Sequence, residues 1–157
     1  IGVEYDYFTK IYKDNIYNIY LWDCGGNKKF NAIIRSYFKS DLFYLICFNA
    51  NDFDFKTPIN FWLNQIKNKS KNKNILLIGI YSSFLDNYIK QDTISFINEL
   101  ELSFIFIDLL NQDDISGITT YIIDKKINDN NLEDDNSINT PLISKNKGTN
   151  CLNCIIL

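Results

Sequence analysis

The chain contains no His and no Met among its 157 residues, and only two Pro and six Gly. Arg35 is its one Arg; every other positive charge is Lys. Each scarcity excludes something. Without His, the Ser-His-Asp and Cys-His catalytic arrangements and every His-containing zinc site are ruled out. The sequence starts at Ile1. An initiator Met is normally trimmed only before a small residue, so the expectation is that further residues precede Ile1 or that processing removed the start. No apolar run approaches the roughly 20 residues needed to span a bilayer. Net charge is −3, which disfavours a nucleic-acid partner. The four cysteines are Cys24, Cys47, Cys151 and Cys154. Two sit in apolar runs and two crowd the C-terminus. They make no disulfide framework, so a reducing compartment is expected.

What is present argues for a folded core. Hydrophobic residues are 46% and aromatics 15%, too many for a wholly disordered chain. Val3 to Tyr12 and Ile16 to Asp23 are aromatic and β-branched, with Lys13-Asp14-Asn15 between them as a turn. That pattern predicts a β-hairpin. The spacing predicts a helix over Lys28 to Lys39, and Leu42 to Phe48 reads as a strand buried on both faces. Phe55 to Lys69 is amphipathic, with Phe55, Ile59, Trp62, Leu63 and Ile66 on one face. Ile75 to Ile80 and Leu102 to Ile107 are further strands. Tyr88 to Glu99 and Ile115 to Ile127 are further helices. This alternation predicts an α/β fold with a mostly parallel sheet. After about Asn128 the apolar density falls, so residues 1–127 are expected to form the domain and 128–157 a flexible tail.

The order of these elements resembles a Rab-type small GTPase of the Ras superfamily. Ile1-Gly2-Val3-Glu4-Tyr5 is similar to the Rab stretch that follows switch I. Tyr20-Leu21-Trp22-Asp23-Cys24-Gly25-Gly26-Asn27 resembles the family's Trp-Asp-Thr-Ala-Gly-Gln element. Ile34-Arg35-Ser36-Tyr37-Phe38-Lys39 resembles switch II, and Phe61-Trp62-Leu63 falls where Rabs carry a Trp-Leu pair. The resemblance implies a P-loop NTPase-like three-layer sandwich, GTP or GDP with Mg²⁺ as cofactors, and protein effectors or regulators as partners. It implies that Asp23 reaches Mg²⁺ through water and that the Gly26 N–H meets the γ-phosphate. Val3, Tyr5, Trp22, Phe30 and Tyr37 would then face effectors.

The departures from the family matter as much. Asn27 stands at the water-orienting Gln position and is one methylene short, so weak hydrolysis is expected. Its alternative role is to cap the helix after it. Ile80-Tyr81-Ser82-Ser83 replaces the Asn-Lys-x-Asp that reads guanine, and Ser83 cannot offer a charged bidentate acceptor. Asp108-Leu109-Leu110 replaces the Ser-Ala-Lys loop. No Gly-x-x-x-x-Gly-Lys-Ser/Thr occurs in the sequence. In the family that phosphate loop lies upstream of the position of Ile1, together with the first strand and first helix. The fold is therefore expected to lack them, leaving a gap in the sheet and unpaired backbone groups.

Cys154-Ile155-Ile156-Leu157 has the form of a prenylation signal, with Leu favouring geranylgeranyl and Cys151 able to take a second lipid. One chain gives marginal membrane binding and two give stable anchoring. Lys145 and Lys147 add a thin basic patch. A chance Cys near an apolar end is the competing reading. The Cys pair makes no zinc or redox site, lacking a second pair and any His. The expectation is a lipid-anchored, Rab-like protein at the cytoplasmic face of membranes, with GTP binding and hydrolysis impaired or lost. The alternatives are a pseudo-GTPase binding module or decoy, or a degenerate gene remnant.

Overall fold

In the computed structural model, which describes residues 2–39, 42–68, 74–82, 84–134 and 150–157, the hairpin forms as expected. Strands β1 (Val3–Tyr12) and β2 (Asn15–Cys24) pair antiparallel along their whole length. Lys13 and Asp14 both take positive φ, 48° and 60°. A two-residue turn with φ > 0 at both positions matches the right-handed twist of the flanking strands. The Asn15 side-chain amide donates to the Lys13 carbonyl at 2.9 Å and ties the turn.

The remaining strands run parallel. They are β3 (Phe43–Asn49), β4 (Ile75–Tyr81), β5 (Ser103–Asp108) and β6 (Asn150–Ile156), in the sheet order β1-β2-β6-β3-β4-β5. Helices α1 (Asn31–Ser36), α2 (Lys56–Lys67), α3 (Asn87–Glu99) and α4 (Gln112–Asp134) cover the two faces. One face carries α1, α2 and α3, through Ile34, Ile59, Trp62, Leu63, Ile66, Ile89 and Ile97. The other carries α4, through Ile122 and Ile123. Strands β3 and β4 lie between the two helical layers, so their sequences are continuously apolar. This is the three-layer α/β architecture of a P-loop NTPase-like fold.

Local chemistry sets the helix ends. Asp86 caps α3, its carboxylate accepting from the Tyr88 and Ile89 N–H groups at 2.9 and 3.0 Å. Glu101, just past α3, has φ 54°, a left-handed position usually given to glycine. Gly79 in β4 is required by close approach: a Cβ there would meet the Phe106 ring at 2.6 Å.

Three elements differ from the sequence reading. The helix over Lys28 to Lys39 is divided into a 3-10 turn at Lys28–Phe30 and the short α1, with Phe38 beyond it in the core. Helix α4 starts earlier and runs further, to Asp134. Most consequentially, Asn150–Ile156 is not a tail but a central strand. It fills the gap expected between β2 and β3, pairing Tyr17–Asp23 on one side and Phe43–Leu45 on the other. The physical reason is non-local. Two inner strand edges present unpaired N–H and C=O groups, and an aliphatic extended segment satisfies them. Ile1, Ser83 and 135–149, with Lys145 and Lys147, lie outside the described residues.

Candidate functional site

The hairpin register assembles an aromatic face. With Tyr5 opposite Trp22 and Tyr7 opposite Tyr20, alternate residues of β1 and β2 share one side. The Tyr5 ring lies 5.5 Å from Trp22 and 6.4 Å from Tyr20, and Tyr7 lies 6.2 Å from Tyr20. Tyr5 and Tyr7 are 57% and 63% exposed, so half of this aromatic area stays in water. Beyond the polar Thr9–Asn18 pair, Ile11 and Ile16 lie on the same side, also exposed and paired with each other. Of the expected effector-facing residues, Tyr5, Trp22 and Val3 belong to this face. Val3 and Trp22 also pack on the core. Phe30 instead lies against Gly2, where a side chain would collide with its ring. Tyr37 is exposed beyond α1. The surface around Val3 to Tyr7 was expected to meet effectors; Tyr20 was not among the expected residues. Period-two alternation, combined with a two-residue turn at Lys13-Asp14, was the available signal.

The expected nucleotide residues sit at the carboxyl edge of the sheet. Asp23 is the last residue but one of β2, exposed, with Glu4 opposite it and Ile156 beside it. Gly26 follows in an exposed loop. The Asn27 side chain accepts the Lys29 N–H at 3.1 Å, so it caps the 3-10 turn, the alternative role foreseen for it. At the ends of β3, β4 and β5 a cavity of about 390 Å³ is lined by Cys47, Phe48, Asn49, Ile80, Tyr81, Ser82 and Leu109. None of these residues carries a charge. The loops around it are tied by their own side chains. Asn51 donates to the Phe84 carbonyl at 2.7 Å and accepts the Asp86 N–H at 3.1 Å. The Asp108 carboxylate accepts the Leu110 N–H at 2.9 Å.

The lining of this cavity does not fit a phosphate group. Phosphate recognition needs cationic side chains or a nest of backbone N–H groups, and the cavity offers an apolar wall. Among the described residues, no group of three His, Cys, Asp or Glu is placed to hold a metal ion. At the position expected for the base-contacting loop, Leu109 and Leu110 are largely exposed.

The cysteines divide by burial. Burial pushes the Cys154 thiol up to about 12. Cys24 reaches about 12 and Cys47 about 11, each through burial first and the neighbouring Asp23 charge second. Thiolate chemistry is therefore suppressed at all three. Cys151 is exposed, on the same sheet face as the aromatic strip. Among the described residues no helix is long and apolar enough to cross a membrane.

The helical layers, the mostly parallel sheet and the Asp23–Gly26 turn at a strand end fit a P-loop GTPase-like fragment. The family model described as "Ras of Complex, Roc, domain of DAPkinase" matches residues 1–82, about half of the chain. The chain is 31% identical to the Ras-related protein Rab-11B of Dictyostelium discoideum over 80 residues, covering 50% of this chain and 36% of that protein. It is 30% identical to the Ras-related protein RabT2 of the same organism over 99 residues, covering 60% of this chain and 44% of that protein. It is also 28% identical to the probable serine/threonine-protein kinase roco6 of that organism over 80 residues, 51% of this chain and 4% of the kinase. The chain belongs to the Ras superfamily through this Roc family match, and it is similar to Rab proteins over the part they share. It spans less than half the length of the Rab relatives it matches.

Proposed function

We propose that this chain acts as a Rab-like binding module in membrane traffic, working through its aromatic hairpin face and not through a nucleotide cycle. The uncharged cavity at the carboxyl edge carries this reading. Family members read the base by charge-assisted bonds, and the lining of this cavity offers no equivalent. The hairpin face, in contrast, keeps the chemistry of a protein interface. Exposed aromatic anchors flanked by aliphatic residues are typical of binding surfaces. The partner class is an effector or regulator of Rab proteins presenting an apolar surface. The expected result is GTP or GDP binding no tighter than about millimolar, roughly −4 kcal/mol. Isothermal titration with added Mg²⁺ measures this, and micromolar binding would overturn the reading.

Membrane attachment belongs to the same proposal. Lipidation at Cys151 and Cys154 would hold the module at the cytoplasmic face of a membrane, and the exposed Cys151 is accessible as folded. Cys154 is 0% exposed, so its modification requires β6 to leave the sheet. Substituting Cys151→Ser together with Cys154→Ser is expected to release the protein from membranes. Unchanged membrane association of the double variant would refute the anchor.

The second reading is a GTPase of ordinary chemistry. The survival of Asp23 and Gly26 at the end of β2 favours it, because those positions contact Mg²⁺ and γ-phosphate in the family. Its test is the same titration.

A further inference from the structure

The two edges of the sheet are not alike. At one edge lies β5, six residues long and mostly half-buried. At the other lies β1, ten residues long and largely exposed. Natural edge strands are commonly blunted by shortness, a Pro or a bulge, because an open row of N–H and C=O groups invites another strand. Strand β1 is long, contains no Pro, and pairs with β2 at ten successive positions without a bulge.

Which residues of β1 face outward follows from the turn. A two-residue hairpin closes on a hydrogen-bonded pair, here Tyr12 and Asn15. Alternation then turns the main-chain groups of Lys10, Phe8, Asp6 and Glu4 towards β2. The Gly25 N–H, which donates to the Gly2 carbonyl at 3.0 Å, continues that series. The N–H and C=O groups of Tyr5, Tyr7, Thr9 and Ile11 therefore point out of the sheet. The Tyr7 N–H donates to Oδ1 of the Asp6 side chain at 2.8 Å, a local substitute for a strand partner.

The side chains of β1 are complementary to their own reversed order. Set antiparallel about Phe8, a second copy brings Asp6 opposite Lys10 twice, Tyr5 opposite Ile11 twice, and Phe8 opposite itself. Tyr5 with Ile11, and Tyr7 with Thr9, are then the hydrogen-bonded pairs, each exchanging two main-chain bonds. Asp6 and Lys10 fall at non-hydrogen-bonded positions, where facing side chains stand closest. Opposite charges and aromatic–β-branched pairs across strands are both favourable. Within one chain, neither Asp6 nor Lys10 belongs to an ion pair among the described residues. Tyr5, Phe8 and Ile11 are exposed, so their apolar area is available to a partner. Sliding one strand by two residues, to centre on Tyr7, sets Asp6 against Phe8 and loses these pairs.

We propose that the outer edge of β1 is a self-association surface, which joins two copies of this chain antiparallel through residues 5–11 into one continuous sheet. The contact is isologous, so it closes at a dimer. On pairing, the Asp6 carboxylate leaves the Tyr7 N–H for Lys10 Nζ of the second copy, and the Tyr7 N–H donates instead to the Thr9 carbonyl of that copy. The surface is the main-chain edge of β1 and not its aromatic face. It depends on neither nucleotide nor lipid.

The test is sedimentation velocity of the full chain over a concentration series, under reducing conditions so that exposed Cys151 cannot link copies. Wild type is expected to dimerise as concentration rises. Lys10→Glu puts two acidic pairs across the axis, and Asp6→Lys puts two basic ones. Each variant alone should dimerise at least about tenfold more weakly than wild type. Mixed together, the two variants regain opposite charges at both positions, so the mixture should form heterodimers as readily as wild type. Circular dichroism checks that each keeps the fold. Thr9→Pro is an independent variant, since it removes an outward N–H and leaves the bonds to β2 intact. It should abolish the dimer. Monomeric wild type at the highest concentration overturns the proposal. A dimer indifferent to Lys10→Glu or to Thr9→Pro also overturns it, as do folded charge variants that fail to associate on mixing.

Discussion

The β1–β2 hairpin and the β3–β4–β5 block use much the same residues, chiefly Ile, Phe, Tyr and Leu, yet live in opposite environments. In β3 and β4 nearly every side chain is buried between helices on both faces. In β1 nearly every side chain is exposed or half-exposed. The difference lies in what covers them. Helices α2 and α3 pack one side of the block, and α4 packs the other. Over the hairpin, the aromatic side faces water past Trp22. An apolar strand composition therefore reports strand formation in both regions but burial in only one.

The comparison is sharpened most by core truncation. Leu77→Ala removes a fully buried side chain from β4. It is expected to destabilise by about 2–5 kcal/mol, whereas Tyr7→Ala on the hairpin should stay within about 0.5 kcal/mol. Urea denaturation of both variants checks this, and equal losses would erase the distinction between the halves. Gly79→Ala comes next. Its methyl group would press on Phe106 and Phe48, and overpacking of this kind costs about 1–3 kcal/mol. Unchanged stability would mean that the Phe106 ring yields freely. Asp86→Ala removes the α3 cap and should cost about 1 kcal/mol, read from the thermal midpoint.

The smallest effect concerns the bond between the halves' periphery. Lys13 Nζ meets Asp124 Oδ1 at 2.8 Å, and the Tyr12 hydroxyl donates to Asp124 Oδ2 at 2.8 Å, pinning the hairpin turn to α4. The Asp124 bond raises Lys13 above its ordinary 10.5, with Tyr12 next in importance. The Lys13 bond lowers Asp124, again with Tyr12 next. Their signs are opposite. The Asp124 contribution is full above the ordinary carboxylate range and fades as pH falls through its lowered pKa. The Lys13 contribution is full below 10.5 and fades as pH rises through its raised pKa. Both groups are exposed, so the effect is slight and screened by salt. Lys13→Ala should flatten the acid and alkaline shoulders of a stability–pH profile while leaving the neutral plateau nearly level. Unaltered shoulders would show that the pair contributes nothing.

Much of the architecture was readable residue by residue. The hairpin followed from β-branched and aromatic runs around Lys13-Asp14. Strands β3, β4 and β5 followed from short continuous apolar runs, and α2 from its helical stripe. The retained Asp23 and Gly26, and the substitutions at Asn27 and Ser83, were visible in the same way. The aromatic face was only half legible, because it depends on which residues of two strands stand opposite each other. The 3-10 turn that uses Asn27 as its cap was legible only as one of two alternatives.

Residues 150–157 mark the limit. As a sequence, Cys154-Ile155-Ile156-Leu157 reads as a lipid signal or a chance apolar end. Local pattern cannot choose, since the deciding factor is far away in the chain. It is the pair of open edges on β2 and β3, which exist only once the two half-sheets have formed. Composition and periodicity determined that this chain builds an α/β sheet with a Rab-like order of elements, because side-chain spacing governs which face each element buries. Only the tertiary structure decided which segment completes that sheet, because backbone hydrogen bonds must be satisfied wherever water is excluded, and the supply came from the opposite end of the chain.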